Sequence, residues 1–201
     1  MRRVLGLALL ALALPAATWA SGIDLVNQHG SISISNAGIF SKGSQLSQFN
    51  GIVAPPGHSL GSLSFSTGAL LSGNIMTSAT FSSVGSSFVV IGKRNLGQPK
   101  GVIFNGAFTG DVSWTLVSQN GQKLTFQLTG NIQGTDFMGR LVHGTTTQTI
   151  VTVGAQLAKG IGHITTGNTH LVVPEPGTLG LLGTGLVGIA GMVRRKLVAR
   201  I

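Results

Sequence analysis

Acidic side chains are scarce in this chain: Asp24, Asp111, Asp136 and Glu175 are all it has. Hydrolysis by paired carboxylates would need two of the three aspartates to converge across one scissile bond. Asp111 directly precedes a strand-like run, a position where an aspartate ordinarily caps a turn. The histidines, His29, His58, His143, His163 and His170, are scattered, with no His-x-His or His-Glu-x-x-His spacing for a metal. His163 and His170 are the one pair that a turn could bring together. Cysteine is absent, which removes thiol catalysis, cysteine-held zinc and disulfides in one step. Serine is abundant, yet no Gly-x-Ser-x-Gly elbow stands between a strand and a helix. The glycines form no Gly-x-Gly-x-x-Gly phosphate loop. The expectation is a chain with no catalytic residues, no cofactor-binding residues, no metal ligands and no cofactor.

The elements that would position these groups read as short strands punctuated by Gly, Asn and Pro. Ser31 to Ser35 alternates strictly, predicting that Ile32 and Ile34 share a buried face. Ile39 to Phe49 is strand or loop, Pro55-Pro56-Gly57 is a turn, and Leu63 and Phe65 alternate with serines. Ile75 to Phe81 and Ser87 to Ile91 are further strands, the second apolar enough for burial on both faces. In Gly101 to Gly134, Val102, Phe104, Phe108, Val112, Trp114 and Leu116 share one parity, as do Leu124, Phe126 and Leu128. A three-residue loop Gln119-Asn120-Gly121 with a bulge would pair Leu116 with Leu124, Trp114 with Phe126 and Val112 with Leu128, putting all six on the core face. Phe137 to Val142 reads as a short strand. In Thr145 to Val153, Ile150, Val151 and Val153 are expected inward or at the sheet centre. Ile161 to Thr166 should be a last strand, ended by Gly167-Asn168. No helical periodicity intervenes, so the fold class expected is mainly β: an antiparallel β-sandwich, jelly-roll-like among its variants, with a β-helix as second choice.

Both ends of the chain carry a different signal. Met1-Arg2-Arg3 is followed by an apolar run from Val4 to Ala17 and by Thr18-Trp19-Ala20, small residues before a cut. Cleavage is expected between Ala20 and Ser21. Near the other end, Thr178 to Val193 is uncharged and apolar. As a helix it would span roughly 24 Å, short of a hydrocarbon core of about 30 Å. Its flanks strengthen the reading: Pro174 and Pro176 block helix propagation on one side, and Arg194-Arg195-Lys196 form a stop-transfer cluster on the other. The divisions are therefore a signal peptide at 1–20, a passenger at 21–172, a sorting segment at 173–196 holding a transmembrane helix at 178–193, and a cytoplasmic tail at 197–201.

The order Val173-Pro174-Glu175-Pro176, apolar helix, Arg194-Arg195-Lys196 resembles the PEP-CTERM sorting signal of exported proteins of Gram-negative bacteria. The resemblance covers about an eighth of the chain. It implies recognition by an exosortase, a membrane-embedded transpeptidase that cuts near Pro-Glu-Pro, and a setting in the cell envelope, exopolysaccharide or biofilm matrix. Signal peptidase and exosortase are thus the processing partners, and the inner membrane holds the chain before processing. The destination is the cell surface, outer envelope or extracellular space.

Setting those segments aside changes the charge balance. The whole chain has a formal net charge of +9, but six of its 13 basic residues lie in the two end segments. The passenger keeps seven basic and three acidic residues, with no basic stripe for nucleic acid. Two function classes follow: a noncatalytic surface or matrix protein, and a carbohydrate-binding module with exposed aromatic rings. Trp114 is the only tryptophan outside the leader and there is no tyrosine, so an exposed Trp114 would favour sugar stacking and a buried one would not. A secreted hydrolase ranks third and needs convergent aspartates, or an aspartate meeting a histidine.

Overall fold

The computed structural model describes residues 22–93 and 96–173. Alternation of apolar and hydroxyl side chains gives strands with one wet and one dry face, and here they are many: β1(Gly22–Gln28), β2(Ser31–Ser35), β3(Gly38–Lys42), β4(Ser44–Phe49), β5(Ile52–Val53), β6(Gly61–Ser66), β7(Leu70–Asn74), β8(Ser78–Phe81), β9(Ser87–Lys93), β10(Lys100–Phe108), β11(Val112–Asn120), β12(Lys123–Asp136), β13(Leu141–Val153) and β14(Ile161–Val172). One helical turn, α1(Gly154–Leu157), joins the last two and buries Leu157.

A single circuit of antiparallel pairings runs β14, β1, β4, β6, β9, β10, β12, β13 and back to β14. The sheet is therefore closed into an eight-stranded barrel, which leaves those strands without a free edge. Long strands change partners along their length. The first part of β14 pairs with β2 and the remainder with β1; β12 pairs with β11 near its start and with β10 near its end. The β2–β3 hairpin and the β11–β8–β7 extension are laid on through these changes. The mainly β, antiparallel expectation holds. A β-helix does not describe this fold, because every described pairing is antiparallel.

Alternation placed the simple strands correctly: Ile32, Ile34, Leu63 and Phe65 are buried. Departures occur where a bulge or a polar interior intervenes. In β9 only Phe88 and Val90 point inward, and Ile91 is 44% exposed, because its other face meets solvent rather than a second layer. A bulge between Val102 and Phe104 turns Val102 outward and Ile103 inward. Phe137 to Arg140 is the turn between β12 and β13, not a strand; the chain re-enters the sheet at Leu141. Gly167-Asn168 does not end β14, which continues to Val172.

The β11–β12 hairpin has the expected core face but not the expected register. Trp114 sits opposite Leu128, Leu116 opposite Phe126, and Asn120 opposite Lys123 around a tight turn at Gly121, whose φ is +59°. A bulge between Leu116 and Ser118 takes up the difference and leaves Val117 exposed. The shift relative to the expected pairing is two residues, so inside and outside are preserved. Val112, Trp114, Phe126 and Leu128 are fully buried, while Leu116 and Leu124 are half-buried. Trp114 stacks on Phe126 with centroids 4.4 Å apart and donates its indole N–H to the Ile75 carbonyl at 2.9 Å.

Candidate functional site

Where strands alternate strictly, outward side chains of neighbouring strands line up in rows, with about 4.8 Å from one strand to the next. On the outside of β8, β11, β12, β13 and β14 these rows consist of hydroxyls and amides. One runs Thr80, Ser113, Thr129, Thr147, Asn168. The next runs Ser78, Thr115, Gln127, Thr149, Thr166. A third begins with Asn131 and Thr145 but continues into an imidazole and a carboxylate, His170 and Asp24, reaching across to β1. The threonines satisfy two demands together: β-branching suits the strand, and the hydroxyl keeps the outer surface wet. The outcome is a broad neutral face of donors and acceptors.

Two shallow grooves cut this face on either side of Thr145 and His170. One of about 370 Å³ is lined by Thr109, Asn131, His143, Thr145 and His170 among others. The other, about 360 Å³, is lined by Asp24, Gln48, Thr147, Asn168 and His170 among others. At their junction the His170 Nδ1 lies 2.5 Å from the Asp24 Oδ1, joining β1 to β14, with both side chains more than half exposed. The grooves can present hydrogen bonds to a flexible polar ligand beside apolar lining from Ile132, Val172 and Val26, and no phenylalanine or tryptophan among the described residues lines them.

The other residues singled out by chemistry are dispersed. All five histidines are exposed. His163 and His170 do not meet through a turn; both lie on β14, seven residues apart in an extended strand, and Asp24 is the partner of His170. Asp111 is exposed in the turn before β11. Asp136 is buried in the β12–β13 turn and fully used there. The backbone N–H groups of Met138 and Arg140 donate to its Oδ1, and the Arg140 guanidinium donates to its Oδ2, each Nε or N contact being 2.9 Å. Burial raises its pKa, but these amide and guanidinium contacts outweigh that, and the carboxyl lies below the usual aspartate range. Asp24 and Asp136 thus face opposite sides of the sheet wall, and each is engaged locally. Among the described residues no group of three or more His, Asp or Glu could hold a metal ion.

One polar cluster escaped the sequence reading because its members sit on strands expected to turn apolar residues inward. Thr146, Gln148 and Thr152 take inward positions of β13 alongside Val142 and Ile150, whereas Val151 and Val153, expected inward or at the sheet centre, lie on the opposite face and are half-buried. Asn27 and Gln148 exchange amide hydrogen bonds of 2.8 and 3.2 Å inside the barrel. Asn27 also donates to the Ser44 hydroxyl at 2.8 Å, and Gln148 to the Thr146 hydroxyl at 2.9 Å, which in turn meets Thr169 at 2.8 Å. A Cβ at residue 167 would lie 2.0 Å from the Gln148 Oε1 and 2.4 Å from the Asn27 Oδ1, so glycine at that position leaves the space for the pair. The cluster is internal and satisfied, a packing device rather than a binding site.

The last described residue, Val173, follows directly from the end of β14. Residues 172–196, beginning at the final residue of that strand, match the family described as the PEP-CTERM protein-sorting motif. The chain carries a PEP-CTERM sorting motif near its C-terminus. Presence of the motif supports a noncatalytic, exported passenger processed by an exosortase, with a surface or extracellular destination. Comparison with curated proteins and with solved structures finds no match. Of the sorting residues expected from sequence, Val173 is described and is buried at 8% exposure; Pro174, Glu175, Pro176, Arg194, Arg195 and Lys196 lie outside the described residues, as do Ala20 and Ser21. The apolar stretch 178–193 lies there too. Among the described residues no helix is long and apolar enough to cross a membrane.

Proposed function

We propose that this protein is a noncatalytic surface or matrix component whose barrel is delivered by its PEP-CTERM tail and then associates with neutral exopolysaccharide. The observation that carries the delivery part is the motif at residues 172–196, which starts where the last strand ends. In this reading signal peptidase cuts between Ala20 and Ser21, and Thr178 to Val193 holds the precursor in the inner membrane with Arg194-Arg195-Lys196 on the cytoplasmic side. Exosortase then cuts near Pro174-Glu175-Pro176. The test is intact mass and cell fraction in a host with and without its exosortase. Tail loss only with the enzyme present is the expected result; a full C-terminus in the membrane under both conditions would overturn the processing role. Replacing Pro174, Glu175 and Pro176 together should leave unprocessed precursor with a folded barrel.

The matrix part rests on the outer hydroxyl and amide rows. A carbohydrate module built on ring stacking is disfavoured, since Trp114 is fully buried and packed on Phe126. A face of threonine, serine, asparagine and glutamine can instead hold a hydrated, uncharged polysaccharide through many weak and water-mediated hydrogen bonds. Such contacts are individually small, so association would depend on repeated copies or long chains.

A further inference from the structure

Strand polarity brings both ends of the described chain to the same end of the barrel. Gly22 opens β1 and pairs with Val172, which closes β14 and pairs with His143 near the start of β13. Leu141 is two residues before His143, so the β12–β13 turn lies beside the exit at Val173. That turn neighbours the β9–β10 connection, because β10 pairs with β12 up to Asp136 and with β9 as far as Lys93. Both adjoining hairpin ends expose large apolar side chains: the β12–β13 end carries three, and the β9–β10 end carries Leu96 in its polar tip and a cross-strand pair just below it. Phe137, Met138 and Leu141 are 38%, 63% and 57% exposed; Leu96, Val102 and Ile91 are 41%, 50% and 44% exposed, the last two directly opposite one another. They make up six of the thirteen large apolar side chains exposed on the described surface. Lys93 and Lys100 pair across the same hairpin, while Arg140 in the other turn is ion-paired with Asp136. Basic and apolar side chains interleaved at a surface suit an anionic lipid interface.

We infer that this end of the barrel is a lipid-contacting rim that seats the passenger on an anionic bilayer surface while the sorting tail is still uncut. The inference rests on the proposed membrane span at 178–193. Five residue steps separate Val173 from Thr178, and even fully extended they reach at most about 18 Å. The exit end of the barrel is thereby tethered at the interface, where its apolar tips can enter the headgroup layer. The opposite end is too far to compete: Thr125, near the start of β12, is twelve residues from Phe137, on the order of 40 Å along the strand.

The absence of cysteine makes the test direct. Full-length protein bearing Met138→Cys, Val117→Cys or Leu182→Cys is labelled with an environment-sensitive dye. Each is reconstituted in vesicles of equal parts phosphatidylethanolamine and phosphatidylglycerol carrying a shallow nitroxide quencher. Val117 is a fair reference, being apolar and more than half exposed like Met138 but near the far end of the barrel. Quenching at 138 and 182 several-fold above that at 117 supports the rim. Quenching at 182 with 138 no different from 117 overturns the rim while the membrane span stands. No quenching at 182 removes the tether and overturns both. Replacing phosphatidylglycerol with phosphatidylcholine should reduce quenching at 138, and unchanged quenching would refute the role of Lys93 and Lys100.

Discussion

Between β6, β9 and β10 the barrel interior holds a cluster of rings, whereas between β1, β13 and β14 a cluster of amides and hydroxyls is set among aliphatic side chains such as Leu25, Ile150 and Leu171. On the first side Phe88 contacts Phe65, Phe104 and Phe108 with centroids 5.9 to 6.1 Å apart, two of the three pairs edge-to-face. On the second, Asn27, Ser44, Thr146, Gln148 and Thr169 are buried and bonded to one another. The aromatic side holds by area removed from water and tolerates modest changes of shape. The polar side gains little net energy from its hydrogen bonds, but a slipped register would strand buried donors and acceptors. One side therefore supplies stability, and the other specifies which strands meet.

Truncation should separate the two most sharply. Phe88→Ala is expected to cost about 3–5 kcal/mol in urea unfolding, since a fully buried ring leaves a cavity among three others. A loss below about 1 kcal/mol would mean the cluster collapses around the gap. Gln148→Leu should cost about 2 kcal/mol by leaving the buried Asn27 Oδ1 without its donor, while Asn27→Leu with Gln148→Leu should cost less than the two single changes summed. Strict additivity would refute the reciprocal pair. Smaller again is Asp136→Asn, at about 1.5 kcal/mol, through its charge-assisted bonds in the β12–β13 turn. Because the folded carboxyl has a lowered pKa, its contribution is present above the ordinary aspartate range near 4 and is lost as pH falls through the folded value. The parent should therefore lose more stability on acidification than Asp136→Asn does. Smallest is Thr129→Val with Thr147→Val on the outer face, within about 0.5 kcal/mol in stability. Binding to an uncharged polysaccharide should nonetheless fall in pull-down; equal retention would remove that face from the matrix role.

Legibility in the sequence tracked the same division. Where apolar and polar residues alternate cleanly, as in Ser31 to Ser35 or around Trp114, the inward face was readable. Where β13 turns Thr146, Gln148 and Thr152 inward, it was not, because a buried amide looks like a surface amide until its partner is known. Asn27 and Gln148 are 121 residues apart, and no local pattern announces that distance. The β11–β12 register failed for a related reason: two pairings two residues apart bury the same side chains, and only the Val117 bulge distinguishes them. The outer rows, too, required knowing which strands are neighbours, since Ser113, Thr129, Thr147 and Asn168 form a row only after pairing.

Strand content, the absence of thiol chemistry and the sorting tail were determined by the sequence alone, because each depends on local periodicity, composition or a contiguous motif. Closure of the barrel, the internal amide pair, and the meeting of Gly22, Val173 and the apolar hairpin tips at one end were decided only by tertiary structure. Those features depend on which distant strands share hydrogen bonds, and many pairings compatible with the same inward and outward pattern compete until the chain closes on itself.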